Sequence, residues 1–201
     1  MGMPPPKGPV SADTRNRLLR CAEKVFARLG YARTTVADIT GEAGTSRATF
    51  YQYFESKGDV FSSVVTKVHE RLIAAQRVPD VDPDDHAEVA RRSMTAALDQ
   101  YVADRRLLVV VREQALNDPD IAALLEQTHA HAAGRTRRFL ERVVADGNAN
   151  LPSDPQAIGE ATVGMVARYA DLVEAHPDRR ELLASQLGDM FVRLIGIDDG
   201  S

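Results

Sequence analysis

Apolar residues recur along this chain at helical spacing, and almost nowhere with the strict alternation of a strand. Leu18, Ala22, Val25, Phe26 and Leu29 stand at i, i+4, i+7, i+8 and i+11, one stripe of a helix, and Gly30 follows as a stop. Val36 and Ile39 begin a short second helix behind Thr35, with Asp38 three residues on in a capping-box arrangement, and Gly44 is placed to end it. Residues 46–54 form a third short helix. A second capping pattern, Ser56 to Asp59, opens a long fourth helix running towards Gln76.

Further on, Asp82-Pro83, Asp118-Pro119 and Asp154-Pro155 each read as an N-cap followed by proline in the first turn, where the missing N–H costs nothing. The three pairs are evenly spaced, 36 residues apart, but the segments behind them share no apolar pattern. They have the same start chemistry and are not a duplication. Helices are expected at 84–103, 105–116, 119–146, 155–175 and 179–197. The fold class is all-α, with three short N-terminal helices ahead of a larger helical body.

At 201 residues, 44% hydrophobic and 27% charged, the chain has ordinary globular composition and the length of one domain or two small ones. The single cysteine, Cys21, excludes an internal disulfide. The longest aliphatic runs, Leu107 to Val111 and Ile121 to Leu125, fall far short of the ~20 residues that span a bilayer. Met1 to Val10 is rich in proline and glycine without an apolar stretch, so neither a signal peptide nor an anchor is expected there. The expected place is the cytoplasm, away from any membrane.

The net charge of −4 argues against a nucleic-acid partner until the chain is divided. Residues 1–57 carry nine Lys/Arg against five Asp/Glu, net +4; the other 144 carry 16 against 24, net −8. A basic head on an acidic body attracts a polyanion at one end only.

In that head, Glu42-Ala43-Gly44-Thr45-Ser46 is a tight turn between two short helices, with Ser46 or Thr45 available as a cap, and the three helices describe a helix-turn-helix unit. Phe50 and Phe54, four apart, face inward. Arg47 and Tyr51, also four apart, lie on another face beside Thr49, Gln52 and Tyr53. Arginine pairs with guanine edges, tyrosine and glutamine meet bases or phosphates, and hydroxyls bind phosphates. The plainer reading makes Tyr51 and Tyr53 core aromatics and Arg47 a solvated charge.

The stretch from Thr34 to Lys57, TTVADITGEAGTSRATFYQYFESK, closely resembles the DNA-binding signature of the tetracycline-repressor (TetR) family. The agreement lies in the Thr34-Thr35 opening, Ala43-Gly44 before the turn, Thr49-Phe50-Tyr51 in the recognition helix, and Phe54-Glu55-Ser56-Lys57 after it. Thr40 and Thr45 depart from the commonest residues without disturbing the pattern. The resemblance implies a homodimeric bacterial transcription regulator, usually a repressor released from operator DNA by a small-molecule effector. Its domains would be a disordered arm over 1–12, a helix-turn-helix DNA-binding domain over 13–57, and a ligand-binding and dimerisation domain over 58–201. Carried over residue by residue, it puts Arg47 and Tyr51 near bases, Thr35, Thr49, Tyr53 and Lys57 on phosphates, and Gln52 at the edge. Lys7, Arg15 and Arg17 form a basic arm that either reaches an adjacent groove or carries incidental charge.

In the body, Ile158, Thr162, Met165, Val166, Tyr169, Leu172 and Val173 make one broad stripe, and Leu183, Leu187, Met190, Phe191 and Leu194 another. Either both stripes face the chain's own core or, as the resemblance implies, they pair with a second copy in a four-helix interface. The interface residues would then be Ile158, Thr162, Val166, Leu183, Leu187, Met190, Phe191 and Leu194. Polar or soft residues within apolar patterns, Tyr101, Arg112, Gln114, His129, Met165 and Tyr169, are candidate pocket lining, with ordinary surface or core positions as the alternative.

Catalytic readings fail. His129 and His131 lie two apart on a helix, about 200° around its axis, and cannot share a metal ion. Asp80, Asp82 and Asp84 imitate the opening of a calcium loop, but Asp85 stands where glycine is needed and Arg91 where glutamate is. No glycine-rich phosphate loop is present, and Cys21 shares a helical register with Leu18 and Val25. No metal, cofactor or enzymatic activity is expected; a protein-binding adaptor and, behind it, an enzyme are the alternatives to a regulator.

Overall fold

The computed structural model describes residues 12–75, 81–147 and 149–197. The basic arm up to residue 11, the end of the fourth helix at Gln76 and Asp80 lie outside them. Among the described residues the chain is helical throughout, without strands: α1 (Ala12–Arg33), α2 (Val36–Glu42), α3 (Arg47–Phe50), α4 (Lys57–Ala75), α5 (His86–Ala115), α6 (Pro119–Ala145), α7 (Pro155–Ala175), a 3-10 turn at Pro177–Arg179, and α8 (Arg180–Leu194).

The head assembles on its aromatic residues. Phe26, Phe50, Phe54 and Phe61 are all buried. Phe26 meets Phe61 edge to face at 4.9 Å, and Phe50 lies 5.5 Å from Phe54. The backbone of α1 leaves helical geometry at Gly30, where the stop is expected, and one further turn runs to Arg33. Thr35 and Asp38 cap α2 reciprocally. Gly44, at φ 60°, makes the left-handed turn that lets Ser46 cap α3.

Three boundaries differ from those expected. The third helix ends at Phe50, not Phe54. Gln52 and Tyr53 donate three residues back, to Thr49 and Phe50, and this tighter winding returns Phe54 to the core beside Phe50. The helices expected at 84–103 and 105–116 are one continuous helix, α5. Asp104 lies within it, buried, and Arg71 and Gln100 satisfy its carboxylate, so a polar residue in mid-helix is no break. The cap of α5 is Asp85, which accepts from the amide of Glu88 at 2.9 Å, while Asp82 closes a turn one step earlier. Asp118 and Asp154 cap α6 and α7 as expected.

Two cores share α5. Leu107, Leu108, Val110 and Val111, at its C-terminal end, join the head's α1 and α4 residues, including Leu18, Val25, Val60 and Val64. Ala90, Met94 and Leu98, nearer its start, pack with α7 and α8. The head core therefore continues past residue 57 through α4 into the body. Helix α7 crosses α6 closely enough that a Cβ at Gly159 would lie 2.6 Å from the Ala133 carbonyl oxygen. Ion pairs tie α5 to its neighbours: Arg91–Asp189 and Arg105–Asp171, both at 3.0 Å, and Arg180–Asp99.

The apolar stripes of α7 and α8 turn inward. Ile158, Thr162, Val166, Leu183, Leu187 and Phe191 are buried within the chain itself, so they are not available to a second copy; of the eight residues expected at an interface, only Met190 and Leu194 reach the outer side. The physical reason is that α5 and α6 already cover those stripes. The outer faces carry Ala161, Gly164 and Arg168 on α7, and Leu182 and Met190 on α8.

Candidate nucleic-acid interface and ligand cavity

Ser46 accepts from the Thr49 amide at 3.1 Å, which starts α3 where the turn leaves it. Burial of Phe50 on one side then fixes what the other side shows. Arg47, Tyr51 and Gln52 are exposed, with Tyr51 at 57%, the largest exposure among the head's big apolar side chains. The edge of Tyr51 against Phe50, ring centroids 5.4 Å apart, holds it outward.

The phosphate candidates are more engaged. The Thr35 hydroxyl and amide both donate to the Asp38 carboxylate, at 2.6 and 2.9 Å, and these bonds hold the Asp38 carboxyl below the usual carboxylate range. Thr49 is half-buried, its hydroxyl 3.0 Å from that of Ser46. Tyr53 packs partly against the head core. Lys57 donates to the Tyr31 carbonyl at 2.9 Å and lies 4.3 Å over the Tyr31 ring, which leaves two of its three ammonium hydrogens for another acceptor. Arg15 stacks over Phe54 and reaches Ser63, while Arg17 is exposed.

Behind the head, α4, α5, α6, α7 and α8 enclose a cavity of about 600 Å³. Met94, Leu108, Thr128, Thr162, Val166 and Phe191 form its buried wall, and Leu72 and Ile73 bring α4 to it. Of the six pocket candidates, Tyr101 and His129 line it. The others do not. Arg112 is exposed, stacks over Tyr101 at 5.6 Å and donates to its hydroxyl; Gln114 lies away from the cavity towards the end of α5. Met165 packs at the edge of the body core, and Tyr169 donates to the Met190 sulfur at 3.0 Å on the outer side. Burial and the nearby charge of Arg112 lower the pKa of His129 and favour its neutral form.

Sequence reasoning missed Arg135, Arg138 and Arg142, which line the cavity from α6. With Thr128 and His131 they are spaced 3, 4, 3 and 4 residues apart, one face of a helix, a signal that was there to be read. It also missed the junction where Arg71 of α4 joins Glu23 of α1 to Asp104 of α5. Among the described residues no three His, Cys, Asp or Glu side chains gather as a metal site, and no helix is long and apolar enough to cross a membrane.

A buried aromatic base, a tight glycine turn and a short capped helix presenting arginine, tyrosine and glutamine define a helix-turn-helix DNA-binding unit. Residues 18–64 match the family of bacterial regulatory proteins described as the tetR family, and the chain's DNA-binding domain belongs to it. The HTH-type transcriptional repressor BepR of Brucella suis is 32% identical over 104 residues, 50% of this chain and 48% of that protein. The chain thus aligns with about half the length of that relative. The HTH-type transcriptional regulator UidR of Escherichia coli K12 is 24% identical over 158 residues, 77% of this chain and 80% of its own. Among solved structures, Salmonella enterica GusR has the same fold with a TM-score of 0.76 at 22% identity, covering 91% of this chain and 95% of that one. A TetR-family regulator from Rhodococcus sp. has a TM-score of 0.80 at 16% identity, covering 92% and 100%.

Proposed function

We propose that this protein is a homodimeric transcriptional repressor of the TetR type, released from its operator by a small molecule held in the body cavity. The observation that carries this is the position of α4. Its start bears Lys57, seven residues after the end of the recognition helix and bonded to the Tyr31 carbonyl of α1, and its far end supplies Leu72 and Ile73 to the cavity wall. An occupant that moves α4 moves the head. A dimer reads two half-sites about 34–36 Å apart or somewhat more, and a ligand favouring a different separation draws the population off DNA. By linkage, operator DNA weakens ligand binding by the same factor.

The second copy docks on the outer faces of α7 and α8. The small residues Ala161 and Gly164 allow helices to approach closely there, and Leu182 and Met190, 49% and 46% exposed, supply apolar surface. Such a regulator works in the bacterial cytoplasm, where its operator is.

The test is fluorescence anisotropy of purified protein on the DNA upstream of its own gene, with sedimentation to read the assembly state. Nanomolar binding that weakens steeply with salt, by a dimer, supports the proposal. A protein that ignores DNA in a genome-wide binding selection and captures only protein partners is an adaptor, and the proposal fails.

A further inference from the structure

Among the described residues, those lining the cavity include several cationic side chains and no carboxylate. The buried wall is mainly apolar: Met94, Val166 and Phe191 are all under 8% exposed, and the hydroxyls of Thr128 and Thr162 on it are spent on the Leu124 and Ile158 carbonyls. The part of the lining that reaches solvent is cationic. Arg138 and Arg142, one turn apart on α6, line the cavity while reaching solvent, and among the described residues neither has an ion-pair partner. His131 stands on the same face of α6, also exposed. The carboxylates nearest in sequence are turned elsewhere. Glu141 pairs with Arg137 at 2.5 Å, and Asp146 meets His86 at 3.3 Å. Glu126 and Glu160 act on His129 electrostatically but do not line the cavity.

An apolar floor under an unneutralised cationic mouth is complementary to one kind of molecule. We infer that the cavity takes an amphipathic organic anion, its hydrocarbon or ring body against Met94, Val166 and Phe191 and its carboxylate or phosphate at Arg138 and Arg142. A neutral molecule of the same shape leaves the two guanidiniums as they are, while a cation meets like charge at the mouth. The anion alone gains charge-assisted hydrogen bonds there. The inference rests on the reading of this cavity as the effector site.

The probes are decanoate, 1-decanol and decyltrimethylammonium, which share a chain and differ in head charge. Each is titrated calorimetrically at micromolar concentration into the DNA-free dimer. Decanoate is expected to bind about tenfold or more tighter than decanol, with the cation weakest. The solvent-exposed double variant Arg138→Gln/Arg142→Gln is expected to bring decanoate down to the affinity of decanol while leaving decanol and operator DNA as before. A cation bound as tightly as decanoate, an anion preference that survives the double variant, or no binding of any decyl probe overturns the inference. Selective decanoate binding without release of DNA supports the inference and counts against the repressor mechanism. Release of DNA by neutral or cationic compounds with no effect of decanoate does the reverse.

Discussion

Arg71 of α4 holds the buried carboxylate of Asp104 of α5 through two hydrogen bonds, 2.6 Å from Nη2 and 3.2 Å from Nε, while the same Nη2 and Nη1 reach Glu23 of α1 at 2.7 and 3.2 Å. Burial works against the guanidinium's charge, but the bonds and charges of Asp104 and Glu23 outweigh it and raise its pKa. One side chain thus fastens the head's first helix and the connecting helix to the body.

Asp104→Ala should destabilise the protein by about 1–2 kcal/mol, a figure kept low because Arg71 is a third exposed and retains Glu23. Lys67→Ala, which removes an exposed pair with Glu70 three residues on, should stay within about 0.5 kcal/mol. Urea unfolding midpoints at constant slope make the comparison. Equal losses would show that Asp104 contributes no more than a surface charge.

Arg47 and Lys57 should separate in DNA binding. Arg47 is exposed on α3 and free of structural duty, so Arg47→Ala should cost about 1–3 kcal/mol on the preferred site and relax preference at one position of each half-site, with unchanged thermal stability. Lys57→Ala removes a phosphate candidate and also the bond to the Tyr31 carbonyl. It should weaken all sequences alike, flatten the salt slope, and lower stability by about 1 kcal/mol. Anisotropy titrations over a panel of operator variants at several salt concentrations, with parallel melts, distinguish the two roles.

Much of this was legible in the sequence, for local reasons. The capping box at Thr35, the glycine turn at Gly44, and the Asp-Pro starts at 118 and 154 are decided by residues within a few positions of one another, and each appears as expected. What was not legible depends on distant partners. Asp104 looks like a break until Arg71, 33 residues away, is placed beside it. The stripes of α7 and α8 have the same periodicity whether they face α5 and α6 or a second copy, and only packing shows that Leu187 and Phe191 face inward. Arg112 resembles a pocket cation by its apolar neighbours, yet the arginines lining the cavity are Arg135, Arg138 and Arg142, whose spacing marks one face of α6 without saying what that face lines.

Gly159 should tolerate no side chain. A Cβ there would sit 2.6 Å from the Ala133 carbonyl oxygen, and backbone cannot step aside as a flexible side chain can. Gly159→Ala should force α7 away from α6 and destabilise by roughly 1–3 kcal/mol, despite alanine's better helix propensity. Gly41→Ala, within α2 and with open space at its Cβ, is the control: it should be neutral to stabilising. Differential scanning calorimetry on both variants reads the difference, and comparable gains in melting temperature would refute the close crossing.

Stability should fall below neutral pH, and His69 should carry part of the fall. Burial and the neighbouring His131 lower its pKa, with Glu70 opposing, so the folded protein resists protonation that the unfolded chain accepts. The sign follows. Above about pH 6.5 the imidazole is neutral in both states and its contribution is intact; as pH falls from there through the lower folded value, that contribution is lost. Its Nδ1 lies 2.7 Å from the Thr128 hydroxyl, which itself donates to the Leu124 carbonyl, so Nδ1 is the donor. His69→Asn keeps a donor near that position and removes the titration. The variant should lose less unfolding free energy than the parent between about pH 7.5 and about pH 5, while the two remain close at the upper end. His129, lowered by burial and by Arg112, leaves a residual slope in the variant. Equilibrium unfolding in urea across that range gives both slopes, and identical slopes for parent and variant would exclude His69 as a contributor.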